Sequence, residues 1–479
     1  MSASRRIGRG DREGWVHRIH EYTNKRFPIL PILCYTNSLI NCKMKQRLLN
    51  ILFWSVISAA FIGPGTVTTA ASAGAGFGYA LIWALIFSTV ACYILQEASA
   101  RITAVSGLNL GQAMKQEYGS SRAGNGLIWL ALIAILSGCA AFEAGNILGA
   151  VAGLTLVSGS VPVPVIVAVI GITAGILLWN GTVQQIAKLL GVIVAIMGIC
   201  FVITAAMIAP SLSEIFADGF IPSIPNGSEI IVLGLIGTTV VPYNIFLGSG
   251  LKHAQSPTEM KLSLGIAIGL GGLISVAILL TGTAITGSFT FEKLASTLSQ
   301  QLGGYGSLLL AIGLFGAGLS STLTAALAAS ITAKSLLSDS EDASSWSETS
   351  LKFRSVWMSV LGIGLLFGVM ELRPVPVIIL AQALNGIILP VIAVILFLLM
   401  NNGCVLPKAH QNGPIQNLLT GIVVWLSILL GLTNLLRALS GIFEFAVPGQ
   451  TTITIVSGVL FLGVIVPLVR RGFRLNQYS

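Results

Sequence analysis

The chain has 479 residues, of which 54% are hydrophobic and only 9% are charged, and its formal net charge is +9. A soluble domain carries about 25% charged residues, so this composition excludes a chain that covers itself with a water-facing surface. Ten of the 26 Lys and Arg fall within residues 1–47, which indicates contact with a membrane surface rather than with nucleic acid. We therefore expect a multi-pass integral protein of the lipid bilayer.

The first residues, 1–47, are basic and irregular, and their short apolar run "FPILPIL" is too short and too rich in proline to cross a bilayer. They lack the small-residue cleavage pattern of a signal peptide. Two interpretations stay open: a cytosolic N-terminal tail, or a natural start at Met44.

Twelve apolar stretches follow, each close to the roughly 20 residues that cross a bilayer as a helix. They predict an all-α membrane protein with about 12 transmembrane helices. The stretches lie at 48–75, 78–98, 125–150, 162–180, 186–209, 229–251, 262–286, 306–333, 355–371, 375–400, 417–436 and 452–469.

The basic residues predict the orientation of these spans. With a cytosolic N-terminus, the segments on the inside hold 23 Lys or Arg, whereas those on the outside hold only Lys293, Arg373 and Arg437. Because basic loops stay on the cytosolic side, we expect both termini, including the tail at 470–479, to be cytosolic, in a plasma or inner membrane.

Two of the spans contain helix-breaking residues in mid-membrane. The first span carries Gly63-Pro64-Gly65, and the sixth carries Pro242 within "GTTVVPYNIF". Proline removes a backbone donor and glycine costs conformational entropy, and in a bilayer every unpaired backbone group is expensive. Such breaks can be simple kinks or close-packing points. Two breaks that lie five spans apart favour instead a transporter built from inverted repeats, with its substrate site between the breaks.

Four stretches resemble the Nramp family of divalent-metal transporters. These are residues 63–114, which begin "GPGTVTTAASAGAGFGYA", then "TVVPYNIFLGSG" (239–250), "GAGLSSTLTAALAASI" (316–331) and "AQALNGIILPVIAVI" (381–395). The resemblance runs from about residue 48 to 400 and implies secondary transport of a divalent metal cation. We find no nucleotide motif and no catalytic Ser/His/Asp order, so we expect neither an enzyme nor a cofactor.

The resemblance also implies a fold and its divisions. The expected fold is LeuT-like, with two inverted five-helix repeats at 48–209 and 229–400 and two additional transmembrane helices at 414–469.

The chain departs from the family at the residues that hold the metal. The family motif Asp-Pro-Gly-Asn reads Gly63-Pro64-Gly65-Thr66 here, and Met-Pro-His reads Val241-Pro242-Tyr243. The carboxylate and the thioether are therefore lost. The substrate or ion ligands that remain are the carbonyls of Gly63 and Thr238, the hydroxyl of Thr66 and the amide of Gln382. The residues expected to shape the cavity are Pro64, Gly65, Val241, Pro242, Tyr243 and Asn244.

Oxygen donors without a carboxylate favour a hard, largely hydrated ion such as Mg²⁺ or Mn²⁺. Two alternatives stay open: a transporter of a small organic solute such as an amino acid, whose carboxylate would meet the helix ends at the breaks, and a sensor of the same family that does not transport.

Glu143 lies well inside the third span, within "CAAFEAGNILG". It matches a glutamate that the family uses in proton relay, so it is a candidate for a proton or cation relay, with H⁺ as a possible coupled ion. The other interpretation is a neutral carboxyl group that is hydrogen-bonded inside the bundle, through Asn146.

Overall fold

The computed structural model describes residues 62–159, 161–181, 183–250, 257–338, 345–443 and 446–475. They belong to one compact unit of the chain, Ile51–Ser479. The basic segment 1–47, the alternative start at Met44 and the first part of the first predicted span lie outside the described residues, as do the last four residues of the chain.

The described residues form sixteen α-helices and one short 3₁₀ helix, Lys408–His410. In chain order the α-helices are α1 (Pro64–Phe77), α2 (Ile82–Ser106), α3 (Leu110–Tyr118), α4 (Arg122–Thr155), α5 (Val163–Asn180), α6 (Val183–Ile208), α7 (Leu212–Gly219), α8 (Glu229–Thr239), α9 (Pro242–Gly250), α10 (Pro257–Gly282), α11 (Phe291–Leu302), α12 (Tyr305–Leu337), α13 (Leu351–Val369), α14 (Pro374–Met400), α15 (Pro414–Phe443) and α16 (Gln450–Leu475).

Within these ranges, ten helical segments are long and apolar enough to cross a membrane, and α8 and α9 together make one of them. They correspond to the predicted spans two to eleven, so the all-α membrane class is confirmed. The predicted twelfth span falls on the shorter apolar part of α16, Gln450–Val466. Of the predicted first span, the structure describes α1.

The centre of the bundle is formed by α4, which packs most extensively against α12 and also contacts α13 and α14. Small residues let the backbones of α4 and α12 approach closely, as is common between membrane helices. A Cβ atom at Gly318 of α12 would lie only 2.7 Å from the Asn146 carbonyl oxygen of α4. The position of the α4 side chains relative to α12 is therefore tightly fixed.

An ion pair lies near the C-terminal end of α2. Glu97 and Arg101 are separated by one helical turn, and Arg101 Nη2 lies 3.0 Å from Glu97 Oε2. Arg101 also donates a hydrogen bond to Asn412 in the segment before α15, at 2.7 Å, while Lys261 of α10 lies 3.3 Å from the same glutamate. These contacts tie α2 to α10 and to the residues that precede α15.

Candidate functional site

The first helix break is the start of α1. Gly63 has an extended backbone, with φ −88° and ψ 177°, and Pro64 occupies the first turn, where its missing N–H leaves no helical hydrogen bond unmade. The Gly63 carbonyl accepts a hydrogen bond from the Val67 N–H at 3.2 Å, so one of its two lone pairs is used within α1. Pro64 lies against Gly149 of α4, where a Cβ atom would overlap the proline ring.

The second break separates α8 from α9. Helix α8 closes with a hydrogen bond from the Val240 N–H to the Ile236 carbonyl, and α9 begins at Pro242. The residue four positions after Thr238 is that proline, which has no N–H to donate. The Thr238 carbonyl is thus released from the helical pattern, as the sequence predicts.

The two breaks meet through their side chains. Thr66 Oγ1 and Thr238 Oγ1 lie 2.9 Å apart, although 172 residues separate them in the chain. Gln382 of α14 approaches both breaks: a Cβ atom at Gly65 would overlap its side-chain amide, and a Cβ atom at Gly237 would overlap its backbone carbonyl. We refer to Gly63, Thr66, Thr238 and Gln382 as the break site; the structure brings these four predicted residues together.

The break site is buried and holds unsatisfied polar groups. Thr66, Thr238 and Gln382 expose 1%, 2% and 0% of their surface. In the part of the chain that the structure describes, both amide atoms of Gln382 and both of the nearby Asn244 have no hydrogen-bond partner. Burying an amide without a partner costs about 1–3 kcal/mol, so these groups indicate a position for water, an ion or a polar solute.

Tyr243, one of the residues predicted to shape the cavity, makes an aromatic contact. Tyr243 is fully buried and packs edge-to-face on Phe142 of α4, with ring centroids 5.4 Å apart. Its hydroxyl has no hydrogen-bond partner among the described residues, and Val241 beside it is fully buried. Tyr243 therefore connects α9, which begins at the second break, to α4.

Glu143 lies on α4 with its carboxyl group inside the bundle, 0% exposed. Its side chain packs against Gly364 of α13 and faces Asn146 and Thr322. Both carboxyl oxygens, the Asn146 amide nitrogen and the Thr322 hydroxyl lack a hydrogen bond to any described residue. The two side chains are neighbours, and the hydrogen bond through Asn146 stays a prediction. We refer to Glu143, Asn146 and Thr322 as the carboxyl pocket.

The described residues contain no group of three or more His, Cys, Asp or Glu side chains that could hold a metal ion. Sequence reasoning did not single out Ser321 of α12, whose hydroxyl would lie 3.2 Å from a Cβ atom at Gly63. The only signal for it was its place in the stretch 316–331, which resembles the family.

Comparison with known proteins decides the family. Residues 55–437 match the family model described as natural resistance-associated macrophage protein-like, or Nramp. The chain belongs to the Nramp family. It is 28% identical over 313 residues to a natural resistance-associated macrophage protein 2 homolog of Dictyostelium discoideum, which covers 60% of this chain and 48% of the relative.

Other Nramp relatives are similarly distant. The chain is 27% identical to the metal transporter Nramp3 of Oryza sativa, over 56% of this chain and 53% of that protein. It is 26% identical to the divalent metal cation transporter MntH of Deinococcus radiodurans, over 60% of this chain and 69% of that protein. The matched region spans about half the length of the first two relatives.

Solved structures show the fold. A crystal structure of the Eremococcus coleocola manganese transporter superimposes with a TM-score of 0.66 at 18% identity, over 89% of this chain and 93% of that one. Mhp1, a nucleobase-cation-symport-1 family transporter in a closed conformation, gives 0.52 at 15% identity, over 88% and 93%. The Nramp chain therefore has the LeuT-like fold, and that prediction is confirmed.

Proposed function

We propose that this Nramp protein is a secondary transporter that moves a divalent metal cation through the break site. The observation that carries the proposal is the convergence of the Thr66 hydroxyl, the Thr238 hydroxyl and the Gln382 amide at the point where the two helix breaks meet. Interrupted helices that meet inside a bundle are the usual location of substrate sites in transporters of this type. Relatives whose names state divalent metal transport support the same substrate class.

The donors of the break site favour a hard ion that keeps part of its water. They are carbonyl, hydroxyl and amide oxygens, which suit Mg²⁺ and Mn²⁺ better than ions that prefer sulfur or imidazole. With no carboxylate among the four residues, the loss of hydration is poorly compensated. We therefore expect weak binding and little preference between Mg²⁺ and Mn²⁺.

Transport through this site requires the bundle to open, because the break-site side chains are buried in the present conformation. The driving force would be the membrane potential or a coupled ion. The distribution of 23 basic residues on one side and three on the other supports cytosolic termini, with the inward direction toward the basic side.

Uptake into proteoliposomes tests this proposal. Vesicles that contain the full chain and a metal-sensing dye would receive Mg²⁺, Mn²⁺ or Ca²⁺ separately, under an inside-negative potassium diffusion potential. We expect saturable entry of Mg²⁺ or Mn²⁺ that increases with the potential. If a folded, correctly inserted protein carries none of the three ions, the divalent-metal function is wrong.

A small organic solute such as an amino acid is the second candidate. It is favoured by the buried Tyr243–Phe142 pair and by the unpartnered amide of Asn244, which together offer an aromatic surface and neutral hydrogen-bonding groups. Uptake of radiolabelled amino acids into the same vesicles separates the two candidates. Amino-acid uptake without metal flux would favour the solute.

A further inference from the structure

A groove of about 490 Å³ opens on the surface of the bundle between α2 and α10. Five of its residues recur every three or four positions along α10 and so form one face of that helix. The sixth belongs to α2, and its aromatic ring lies 3.5 Å from the position of a Cβ atom at Gly265. We refer to the six residues as the interface groove: Tyr93, Thr258, Lys261, Leu262, Gly265 and Ile266.

The interface groove crosses the boundary between polar and apolar sequence. Lys261 immediately precedes the apolar stretch 262–286, on the side of the membrane that the basic residues predict to be cytosolic. Leu262 and Ile266 are 62% and 37% exposed on the outer face of α10, and Ile266 lies about 7.5 Å further along the axis than Lys261. The groove therefore offers a cation at the level of the lipid headgroups and an apolar surface at the level of the acyl chains.

The charges beside the groove do not balance. The Glu97 carboxylate is shared by two cations, with Arg101 Nη2 at 3.0 Å from one oxygen and Lys261 Nζ at 3.3 Å from the other. Arg101 is buried and also donates to Asn412, whereas the side chain of Lys261 is 41% exposed. Glu259 lies only two positions from Lys261 on α10 and so faces a different direction. The cluster keeps one positive charge, and its exposed carrier is Lys261.

We infer that the interface groove binds one anionic phospholipid of the leaflet on the basic side. The Lys261 ammonium group receives the phosphate, Tyr93 and Thr258 add hydroxyl donors to the same groove, and an acyl chain lies along Leu262 and Ile266. A zwitterionic lipid binds less well, because its own ammonium group opposes the surplus charge. The apolar end of the groove faces the bilayer, where lipid is the available occupant.

Binding can be measured on the full chain purified in detergent and depleted of lipid. Palmitoyl-oleoyl phosphatidylglycerol and the matching phosphatidylcholine are the probes, and the readouts are the Tm and the number of lipids retained in native mass spectrometry. We expect a saturable rise in Tm that is larger with phosphatidylglycerol, because a ligand that binds the folded state stabilises it. The difference between the two lipids should shrink at high salt.

Lys261→Gln tests the charge. It should raise the half-saturating concentration of phosphatidylglycerol by about fivefold, the factor expected for one lysine at an anionic membrane surface. Lys188→Gln is the matched control, because Lys188 is exposed at the start of a predicted span on the same side of the membrane and does not line the groove; it should leave binding unchanged. If Lys261 served only to pair with Glu97, its substitution would lower the Tm equally with and without the lipid.

Gly265→Leu tests the shape without changing the charge. A leucine there fills the floor of the groove beside Tyr93 and should remove most of the response to phosphatidylglycerol. Gly269→Leu, one turn further along α10 and outside the groove, should retain it, since nothing lies within 4 Å of a Cβ atom at that position. Equal responses to the two lipids, a full response in both Lys261→Gln and Gly265→Leu, or the same rise in Tm with soluble glycerol phosphate would overturn the inference.

Discussion

The break site and the carboxyl pocket are two buried polar centres of one bundle, and they are built in opposite ways. The break site combines neutral side chains with a backbone carbonyl that Pro242 releases from its helix. The carboxyl pocket lies on regular helices and is made of side chains, with the buried acidic residue Glu143 at its centre. The comparison teaches that a bundle can keep its buried acidic side chain and the polar groups of its helix breaks in different places.

The largest expected effect concerns the packing that creates the break site. A Cβ atom at Gly237 would overlap the Gln382 carbonyl oxygen and lie 2.7 Å from the Gly386 nitrogen, and neither backbone atom can rotate away. Gly237→Ala should lower the free energy of unfolding by about 1–3 kcal/mol, measured as a fall in Tm.

Gly248→Ala is the control for that substitution, because nothing lies within 4 Å of a Cβ atom at Gly248 on the neighbouring helix α9. It should be neutral or stabilising by up to about 1 kcal/mol. Equal melting temperatures for the two variants would show that α8 and α14 do not pack as described.

The second prediction removes the amide of the break site. Gln382→Leu keeps a side chain of similar size but supplies no oxygen, so we expect metal uptake to fall by at least about tenfold, equivalent to about 1.4 kcal/mol. Asn434→Leu on α15 is the control: its amide is also buried but already donates to the Leu430 carbonyl at 2.9 Å. Uptake that is unchanged by Gln382→Leu contradicts the assignment of Gln382 as a ligand.

The third prediction gives the break site an acidic side chain of the kind that the carboxyl pocket contains. In the double variant Gly63→Asp with Thr66→Asn, a carboxylate compensates for the water that a metal ion loses. Gly63 tolerates a side chain, since its φ is −88° and its nearest neighbour is the rotatable hydroxyl of Ser321.

We expect Mn²⁺ affinity to rise by about tenfold, since a carboxylate in contact with the ion should add about 1.4 kcal/mol to the binding free energy in this buried site. Isothermal titration of the purified protein measures it. Gly76→Asp, at an exposed position of α1 with nothing within 4 Å of its Cβ position, should change nothing. A similar gain from both variants would mean that the carboxylate acts by general attraction and not as a ligand.

The smallest effect is the hydrogen bond between the two breaks. In a double-mutant cycle of Thr66→Val and Thr238→Val, the coupling free energy should be about 0.5–1.5 kcal/mol, as for one buried hydrogen bond. The cycle is needed because Thr66 makes further interactions that its own substitution also removes. If the two substitutions change the Tm additively, the two hydroxyls do not interact, and this argues against an ion that both of them contact.

The sequence predicted the positions of the membrane spans better than it predicted the residues at which each helix begins and ends. The predicted span 162–180 became Val163–Asn180, and 375–400 became Pro374–Met400, because in both cases proline marks the start of the apolar run. The span predicted at 78–98 became Ile82–Ser106 instead. Hydropathy identifies the part of a helix that fits the bilayer, and α2 continues past it through Arg101 to Ser106.

The candidate site was also predictable only in part. Pro64 and Pro242 predicted both breaks, since the loss of a backbone donor is a local property. The contact between Thr66 and Thr238 depends on how two distant helices pack, which no local pattern contains, and the choice of Gln382 came from the family resemblance. Thr322 gave no signal, because threonine in an apolar helix usually bonds to its own backbone, whereas the hydroxyl of Thr322 makes no such bond in the structure.

Substitution can replace a side chain, but it cannot remove a peptide carbonyl. As long as residue 242 is proline, the carbonyl at position 238 receives no helical hydrogen bond from it, whatever side chain stands at position 238. Changes at Gly63, Thr66 and Val241 can therefore alter the proposed ion preference, while the contribution of this carbonyl to the electrostatic potential of the site stays the same. The carbonyl at position 238 is therefore available to a ligand in any variant of this chain that keeps Pro242.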